Sequence, residues 1–228
     1  MEKASQRSKF ITFEGLDGCG KSTQLENLAR VLRQQGVDVV TTREPGGTII
    51  GERIRAVLLD SRTRGLSAHA EMTLMVASRA QLIAEVIRPA LAAGRWVLCD
   101  RFIDSTEAYQ GGGRELGSDV VLRSHEILCR GLWPDLTILM DSDVSASVSR
   151  ARKRNQAIPF GHDENRFEKE SHAFFERVHA AFLEIARREP QRVVLIDARP
   201  PIELVHQEIL QVVRERLMQE PQQLTTDN

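Results

Sequence analysis

The residues of this chain that are most able to do chemistry form a glycine-rich pattern near its start. Residues 15–22 read G-x-x-x-x-G-K-S, a spacing in which backbone N–H groups surround phosphate oxygens and the lysine reaches the terminal phosphates. A short apolar run at residues 10–13 predicts a strand before this loop, and a helical pattern follows it. The pattern therefore predicts binding of ATP or GTP. The predicted contacts are Gly15, Leu16, Asp17, Gly18, Cys19, Gly20, Lys21, Ser22 and Thr23.

A carboxylate at the end of a second apolar run completes the predicted phosphate site. Residues 96–99 predict a buried strand, and Asp100 and Arg101 follow it directly. In triphosphate-binding proteins a carboxylate at this place helps to hold Mg²⁺ together with the loop hydroxyl, here that of Ser22. An aspartate that only caps a turn is the alternative. The forked guanidinium of Arg101 is suited to gripping phosphoryl oxygens.

Two further segments predict a place for a second substrate. Residues 104–114 gather hydroxyls, an amide and the only tyrosine of the chain, which favours a recognition surface. A solvated helix start is the alternative interpretation for Asp104 and Glu107. Residues 42–48 follow another predicted strand and combine Arg43 and Pro45 with two glycines. They predict a rigid loop at the carboxyl edge of the sheet, although such a loop could also be a simple turn.

A cluster of positive charge predicts a lid at about residues 150–165. Residues 150–154 contain four basic side chains and precede an irregular stretch with proline and glycine. A charge run is usually a solvated face. The phosphate loop, however, has Gly18 at its centre and no arginine, so cations for phosphoryl transfer must come from elsewhere. Closing arginines would neutralise the transferring group and exclude water, which makes Arg152 and Arg154 predicted catalytic residues.

Apolar runs alternate with helical patterns along the whole chain, which is typical of an α/β protein with a parallel sheet. The predicted strands are residues 10–13, 37–41, 96–99, 136–140 and 193–196. The predicted helices are residues 21–35, 51–59, 68–93, 120–130, 144–153, 164–188 and 202–218. No interior linker divides the chain, so one domain over residues 1–228 is expected, with flexible ends at 1–8 and 220–228.

Composition excludes several functional classes. The formal net charge is −1, which argues against a general nucleic-acid-binding surface. No apolar stretch has membrane-spanning length and no signal peptide is recognisable, so a cytoplasmic protein is expected. The spacing of Cys19, Cys99 and Cys129 suits no metal site. Cys19 could be a thiol activated by the helix N-terminus, but a small residue that presents its N–H is the better interpretation.

Taken in order, these motifs resemble those of bacterial thymidylate kinases from residue 10 to about residue 212. The resemblance implies a P-loop NTPase with an NMP-kinase-like three-layer α/β fold, in which helices surround a five-stranded parallel sheet. It also implies transfer of the γ-phosphoryl group of ATP to dTMP, giving dTDP, with Mg²⁺ and generally as a homodimer. The matching motifs are Phe13-Glu14-Gly15-Leu16-Asp17-Gly18, Arg43-Glu44-Pro45-Gly46-Gly47, Ser78-Arg79-Ala80-Gln81, Asp100-Arg101-Phe102 and Ala108-Tyr109-Gln110-Gly111.

The resemblance also implies roles for single residues. Asp17 matches the carboxylate that holds the deoxyribose 3′-hydroxyl, and Arg43 and Arg101 match the arginines of the acceptor phosphate. Arg79 matches the arginine that contacts a thymine carbonyl, and Tyr109 lies where the sugar is contacted. With Lys21 in the loop, Asp17 and Arg101 become predicted catalytic residues beside the lid arginines. The remaining predicted substrate contacts are Glu14, Pro45, Met75, Ser105, Thr106, Gln110 and Glu168.

Two departures from the family pattern keep alternatives open. Four residues before the position of Arg79 the family usually has a phenylalanine that stacks on thymine, whereas this chain has Met75. The predicted lid is also longer than is usual, with an insertion at residues 158–162. A kinase for another nucleoside monophosphate is therefore one alternative. A nucleotide sensor without an acceptor is the other, but Arg43, Arg79 and Tyr109 argue against it.

Overall fold

A computed structural model of the chain describes residues 7–63, 65–156 and 166–218. Its centre is a five-stranded, all-parallel sheet with the strand order β2-β3-β1-β4-β5. Parallel neighbours need long crossover connections, and helices supply them here. The predicted α/β class and all five predicted strands are thereby confirmed. The strands are β1 Phe10–Glu14, β2 Val39–Arg43, β3 Trp96–Asp100, β4 Leu136–Asp141 and β5 Val193–Asp197.

Helices cover both faces of the sheet because successive side chains of a strand point to opposite faces. In β1, Ile11 and Phe13 pack with α1 and α9 in one core, whereas Phe10 packs with α3 and α6 in another. This arrangement gives the predicted three layers. The helices are α1 Lys21–Gln34, α2 Ile49–Leu59, α3 Ala68–Leu82, α4 Arg88–Ala92, α5 Ile103–Thr106, α6 Ser118–Cys129, α7 Val144–Gln156, α8 His172–Arg188 and α9 Ile202–Val213.

Three predicted helices differ from the structure. The predicted helix at 68–93 contains a π-helical turn, Ile83–Ile87, which ends two residues before Pro89, a residue that has no N–H to donate. The predicted helix at 202–218 ends as a π-helical turn, Arg214–Met218. The prediction at 164–188 extends too far towards the N-terminus, because the Ser171 side chain caps α8 by accepting the N–H of Phe174 at 3.2 Å. Residues 164 and 165 lie outside the described residues.

Helical structure also occurs where no helix was predicted. α5 leads into Glu107–Gly113, which winds as a π-helix and ends in three consecutive glycines. Glycine is a poor helix former, so propensity gives no signal for this segment. Close packing against α8 explains the composition, since a Cβ on Gly113 would lie 2.6 Å from the Phe174 ring and one on Gly112 would lie 2.6 Å from Ala181.

The alternative interpretation of Asp104 and Glu107 as solvated residues is wrong. Both side chains are buried. Asp104 forms an ion pair with Arg192 at 2.7 Å, and Glu107 forms one with Arg188 at 2.6 Å. Because the arginines belong to α8 and to the residue before β5, these ion pairs anchor the π-helical segment to the rest of the domain. Breaking either pair would leave a buried charge without its partner, which is strongly destabilising.

The glycine-rich loop is packed tightly against α7, and substitution of glycine tests this contact. Gly18 and Gly36 have nearly equal backbone angles, φ 82° and 83°. A Cβ on Gly18 would lie 2.4 Å from the Ser147 carbonyl oxygen, whereas one on Gly36 would meet nothing within 4 Å. Both alanine variants incur left-handed strain of about 1–2 kcal/mol. We expect Gly18→Ala to lose about 1–3 kcal/mol more, because α7 must move.

Urea unfolding of the two variants measures this difference. Gly36→Ala is the matched control for backbone strain. Equal losses of the free energy of unfolding in both variants would show that α7 does not constrain the loop.

Candidate active site

The glycine-rich loop forms a concave surface of backbone N–H groups. Gly20 takes a left-handed conformation, φ 101°, directly before α1, and it provides no side chain that could cap the helix. The first N–H groups of α1 therefore remain available for an anion. The Lys21 ammonium lies inside the loop, where it donates to the carbonyl oxygens of Gly15 at 3.2 Å and Leu16 at 2.8 Å. This geometry fits a chain of phosphates with the lysine beside them.

Ser22 and Asp100 lie together at the mouth of the loop. The Ser22 hydroxyl donates to the Asp100 carboxylate at 2.5 Å, because the ends of β1 and β3 are neighbours in the sheet. Among the described residues no group of three or more His, Cys, Asp or Glu side chains could hold a metal ion. One carboxylate and one hydroxyl fit Mg²⁺ nevertheless, since this ion usually keeps several waters and takes phosphate oxygens from its substrate.

A cleft with about 690 Å³ of empty space, including its open mouth, lies beside the loop. Nine of the side chains that line it were predicted from the sequence as site residues: Asp17, Pro45, Met75, Arg79, Arg101, Ser105, Thr106, Tyr109 and Gln110. Five others were not predicted: Glu44, Arg55, Leu59, Phe102 and Phe167. Arg55 is the most informative of these because it adds a third arginine to the cleft, and it donates to the Pro45 carbonyl oxygen at 3.0 Å.

An ion pair joins the loop to the cleft. Arg101 donates to the Asp17 carboxylate at 2.8 Å and to the Ser105 hydroxyl at 2.8 Å. The Tyr109 hydroxyl donates to the other Asp17 oxygen at 3.3 Å, and burial raises the pKa of that hydroxyl, so it stays protonated. Arg101 holds a left-handed backbone, φ 71°, that is costly for a non-glycine residue. Its N–H is fixed by the Phe13 carbonyl oxygen at 2.9 Å.

Arg79 lies buried at the other end of the cleft. Its guanidinium contacts the Glu44 carboxylate at 2.8 Å, the Thr106 hydroxyl at 2.6 Å and the Phe102 carbonyl oxygen at 3.1 Å. Burial raises the pKa of Glu44 to about 7, against the lowering effect of Arg79. Within the described part of the chain, the remaining nitrogen of Arg79, Nη1, has no hydrogen-bond partner. A buried donor without a partner is costly, so this end of the cleft suits a ligand that brings a carbonyl oxygen.

Glu14 was predicted to contact substrate, and the structure places it behind the cleft. Its carboxyl group is buried and accepts the Phe102 N–H at 2.7 Å and the Ser105 hydroxyl at 2.5 Å. Burial, together with the nearby Asp104 charge, raises the pKa of Glu14 to about 8. Glu14 is not among the side chains that line the cleft. In this position it orients Ser105, which lines the cleft and contacts Arg101.

Arg43 also lies outside the lining of the cleft. It is the last residue of β2 and not, as predicted, part of the loop after a strand at residues 37–41, and its exposed side chain forms an ion pair with Glu52 of α2 at 3.0 Å. Glu52 in turn accepts the Gly47 N–H at 2.9 Å. The pair therefore fixes the turn after β2, in which Pro45 lines the cleft.

The predicted lid begins on α7. Arg150 donates to the Gly18 carbonyl oxygen of the phosphate loop at 2.7 Å, and Arg152 donates to the Glu170 carbonyl oxygen at 3.3 Å. Of the predicted charge cluster, Arg150 thus contacts the loop, whereas Arg152 contacts the chain at Glu170. The side chains of Arg154 and Glu168, and residues 157–165, lie outside the described residues.

The three cysteines are buried and unpaired. Burial raises the pKa of Cys99 well above that of an ordinary thiol and raises the pKa of Cys129 to about 11. Both are packing residues, as predicted. Cys19 lies buried in the core under the phosphate loop.

A phosphate loop that opens into an arginine-lined cleft defines a P-loop kinase with a small anionic acceptor. The family model described as Thymidylate kinase matches residues 13–209. The thymidylate kinase of Desulfovibrio desulfuricans is 49% identical over 199 residues, which cover 87% of this chain and 92% of that protein. That of Trichlorobacter lovleyi is 50% identical over 189 residues, 83% of this chain and 89% of that protein. This chain belongs to the thymidylate kinase family.

A solved structure supports the same assignment. The crystal structure of thymidylate kinase from Ehrlichia chaffeensis superposes with a TM-score of 0.71 at 33% sequence identity, and the match covers 90% of this chain and 98% of that one. The predicted P-loop fold and the resemblance stated above are therefore confirmed. Among the described residues, no helix is long and apolar enough to cross a membrane.

The raised pKa of Glu14 predicts how stability depends on pH. Its pKa rises from 4.5 to about 8 on folding, so between these values the unfolded chain ionises while the folded protein keeps the proton. The folded state then binds more protons, and the free energy of unfolding falls as pH rises. We expect Glu14→Gln to gain stability relative to the wild type from pH 5 to pH 8, measured by urea unfolding. Parallel stability curves for the two proteins would contradict this expectation.

Proposed function

We propose that this protein transfers the γ-phosphoryl group of ATP to dTMP, giving dTDP and ADP. The observation that carries the proposal is the Asp17–Arg101 ion pair at 2.8 Å. Asp17 belongs to the phosphate loop and Arg101 to the wall of the cleft, so the donor and acceptor sites share one contact. Membership of the thymidylate kinase family supports the same reaction.

The donor site is the phosphate loop. We assign the triphosphate of ATP to the N–H groups from Gly15 to Thr23, with Lys21 placed to bind the β- and γ-phosphates. Ser22 and Asp100 would hold Mg²⁺, which when bound supplies positive charge to the phosphate oxygens.

The acceptor site is the cleft. Arg101 and Arg55 are the cations we assign to the phosphate of dTMP, because forked guanidinium groups match phosphoryl oxygens. Asp17 is placed to accept a hydrogen bond from the sugar hydroxyl. The free Nη1 of Arg79 is placed to donate to a thymine carbonyl oxygen. Met75 would pack on the base face without the additional 0.5–1.5 kcal/mol or so that an aromatic pair contributes.

Catalysis then depends on the alignment of the two phosphates and on the stabilisation of charge on the transferring group. An oxygen of the acceptor phosphate is already anionic, so it can attack the γ-phosphorus in line without a general base, while ADP leaves. Lys21 and Arg101 stabilise the charge spread over the transferring group. We assign additional cations to Arg152 and Arg154, on the helix that already contacts the loop through Arg150. Family membership disfavours both the kinase for another monophosphate and the sensor without an acceptor.

Substitution of Lys21 in the loop and of Arg101 in the wall of the cleft tests the proposed chemistry. We expect Lys21→Met and Arg101→Ala each to lower kcat/KM for dTMP by about 10²-fold or more, because each removes charge from the transferring group. Arg187→Ala, on the exposed face of α8, is the control and should keep wild-type activity. Wild-type rates in either site variant would overturn the mechanism.

A substrate panel separates the proposed acceptor from the alternatives. Ranking dTMP, dUMP, dCMP, dGMP and thymidine by kcat/KM should place dTMP first. Tight ATP binding with no transfer to any of them would instead favour a sensor.

We further propose that the protein is a homodimer that acts in the cytoplasm. Buried, unpaired thiols suit a reducing compartment. Ile49 on α2 is 77% exposed and Ile127 on α6 is 75% exposed, and both helices pack against α3. Exposed large apolar side chains on two helices that both pack against α3 favour self-association through this face.

A charge placed on this face tests the dimer. We expect Ile127→Asp to shift the protein from dimer to monomer in sedimentation equilibrium, because a carboxylate would be buried at the interface. Leu204→Asp is the control, since Leu204 is 55% exposed on α9 at the other face of the sheet. A dimer that survives Ile127→Asp would contradict the proposed interface.

A further inference from the structure

Glu71 is a buried carboxylate that joins three segments around the acceptor cleft. Its side chain is 0% exposed. It accepts hydrogen bonds from Gln110 at 2.7 Å, from Arg114 at 3.1 and 3.2 Å, and from Arg166 at 2.7 Å. The donors come from the π-helical segment, from the residue that follows it, and from the chain that returns from the lid region. One carboxylate on α3 therefore holds all three together.

Glu71 acts on the cleft from behind. It lies one helical turn before Met75 and two turns before Arg79 on α3, so the three side chains share one face of the helix. Met75 and Arg79 line the cleft, but Glu71 does not. Gln110, which donates to Glu71, also lines the cleft. The contacts of Glu71 thus hold the side chains that form the wall of the cleft, and Glu71 itself does not contact a ligand in the cleft.

The returning chain places an aromatic ring in that wall. The Arg166 N–H donates to the Leu59 carbonyl oxygen at 3.1 Å, which pins this chain to the end of α2. Phe167, the next residue, is buried and lines the cleft. Its ring meets the Tyr109 ring edge to face at a centroid distance of 5.6 Å, and the Arg166 guanidinium lies 4.5 Å from its centroid. These are favourable geometries for aromatic and cation–π contacts.

A second ion pair fixes the chain at Glu170, three residues after Phe167. Arg114 contacts the Glu170 carboxylate at 2.6 Å as well as Glu71 at 3.1 Å. Phe167 lies between the two residues that are held in this way, Arg166 and Glu170. Its position in the cleft therefore depends on the charge of Glu71, which both arginines share.

We propose that Phe167 is a specificity-determining wall of the acceptor cleft and that Glu71 is the positioning residue that holds it there through Arg166 and Arg114. The proposal rests on the proposed function, since it assumes that the cleft takes the nucleoside monophosphate. Without the Glu71 charge, the positive charges of Arg114 and Arg166 are no longer neutralised at this partly buried position, and the two side chains turn towards solvent. Phe167 then leaves Tyr109, and the cleft loses one apolar side. The phosphate loop keeps its own contacts.

Glu71→Gln tests the proposal because it keeps the size of the side chain and removes the charge. We expect KM for dTMP, and its Kd from calorimetric titration without ATP, to rise about tenfold, equivalent to about 1.4 kcal/mol. KM for ATP should change less than about twofold, since its site does not use these residues. Phe167→Ala should shift KM for dTMP in the same direction while leaving the ion pairs in place. It also provides the test if Glu71→Gln does not fold.

Glu107→Gln is the matched control. Glu107 is equally buried, at 1% exposure, and pairs with Arg188 at 2.6 Å, but it does not line the cleft. This variant should lower the Tm and leave KM for dTMP unchanged. If Glu71→Gln behaves in the same way, with a lower Tm alone, Glu71 is only structural and the proposal is overturned. An unchanged KM in Phe167→Ala also overturns it.

A failure of the proposed function would give a result different from a failure of the proposed role of Glu71. Should the wild type phosphorylate another monophosphate instead of dTMP, the substrate assignment is wrong, and the same variants are compared with that acceptor. A rise in its KM for both Glu71→Gln and Phe167→Ala would still support the wall.

Discussion

The ion pair between Arg101 and Asp17 is the contact through which the two halves of the site are held in register. Arg101 follows β3 and Asp17 belongs to the loop after β1, and these two strands are neighbours in the sheet. The left-handed backbone of Arg101 turns its guanidinium back over the loop. Such a conformation persists only where the surroundings enforce it. Arg101 is held in it by hydrogen bonds to the Phe13 carbonyl oxygen, the Asp17 carboxylate and the Ser105 hydroxyl.

Buried charges surround this contact, and their arrangement explains the rigidity of the cleft. Glu14 orients Ser105, Glu44 holds Arg79, and Glu71 holds the chain that carries Phe167. A buried ion pair contributes little net stability, because desolvation offsets the attraction between the charges. Its effect on geometry is larger, since each charged group has few positions in which its partners are satisfied. The carboxylates behind the cleft thus fix side chains that a substrate must find already in place.

Close packing supplies the second constraint on the site. α7 approaches the phosphate loop so closely that Gly18 has no room for a Cβ beside the Ser147 carbonyl oxygen. The same approach lets Arg150 donate to the Gly18 carbonyl oxygen. The loop and α7 therefore form one packed unit, which places the Arg150 guanidinium beside the loop. The close approach of α7 thus both requires a glycine at position 18 and allows Arg150 to reach the loop.

The sequence by itself determined the phosphate loop and the five strands through local patterns, and it indicated most of the cleft residues through its resemblance to a known family. Gly15, Lys21 and Ser22 could be identified because a local motif needs residue types at fixed spacing, and the strands because apolar runs alternate with helical patterns. Asp100 and Arg101 were predictable since they end a strand whose carboxyl edge must face the ligand. The signals for the loop, the strands and these two residues are local in the chain.

Only the tertiary structure decided which other residues reach the site. Arg55 and Phe167 line the cleft because α2 and the chain after residue 165 fold against it, and neither carries a local signal of that position. Glu14 ends β1, directly before the loop, yet the packing of Phe102 and Ser105 places it behind the cleft. For Asp104 and Glu107 the sequence left a solvated helix start open as an alternative, because their arginine partners lie 88 and 81 residues away along the chain. Spacing along the chain fixes local geometry, whereas burial and charge pairing depend on segments that meet only after folding.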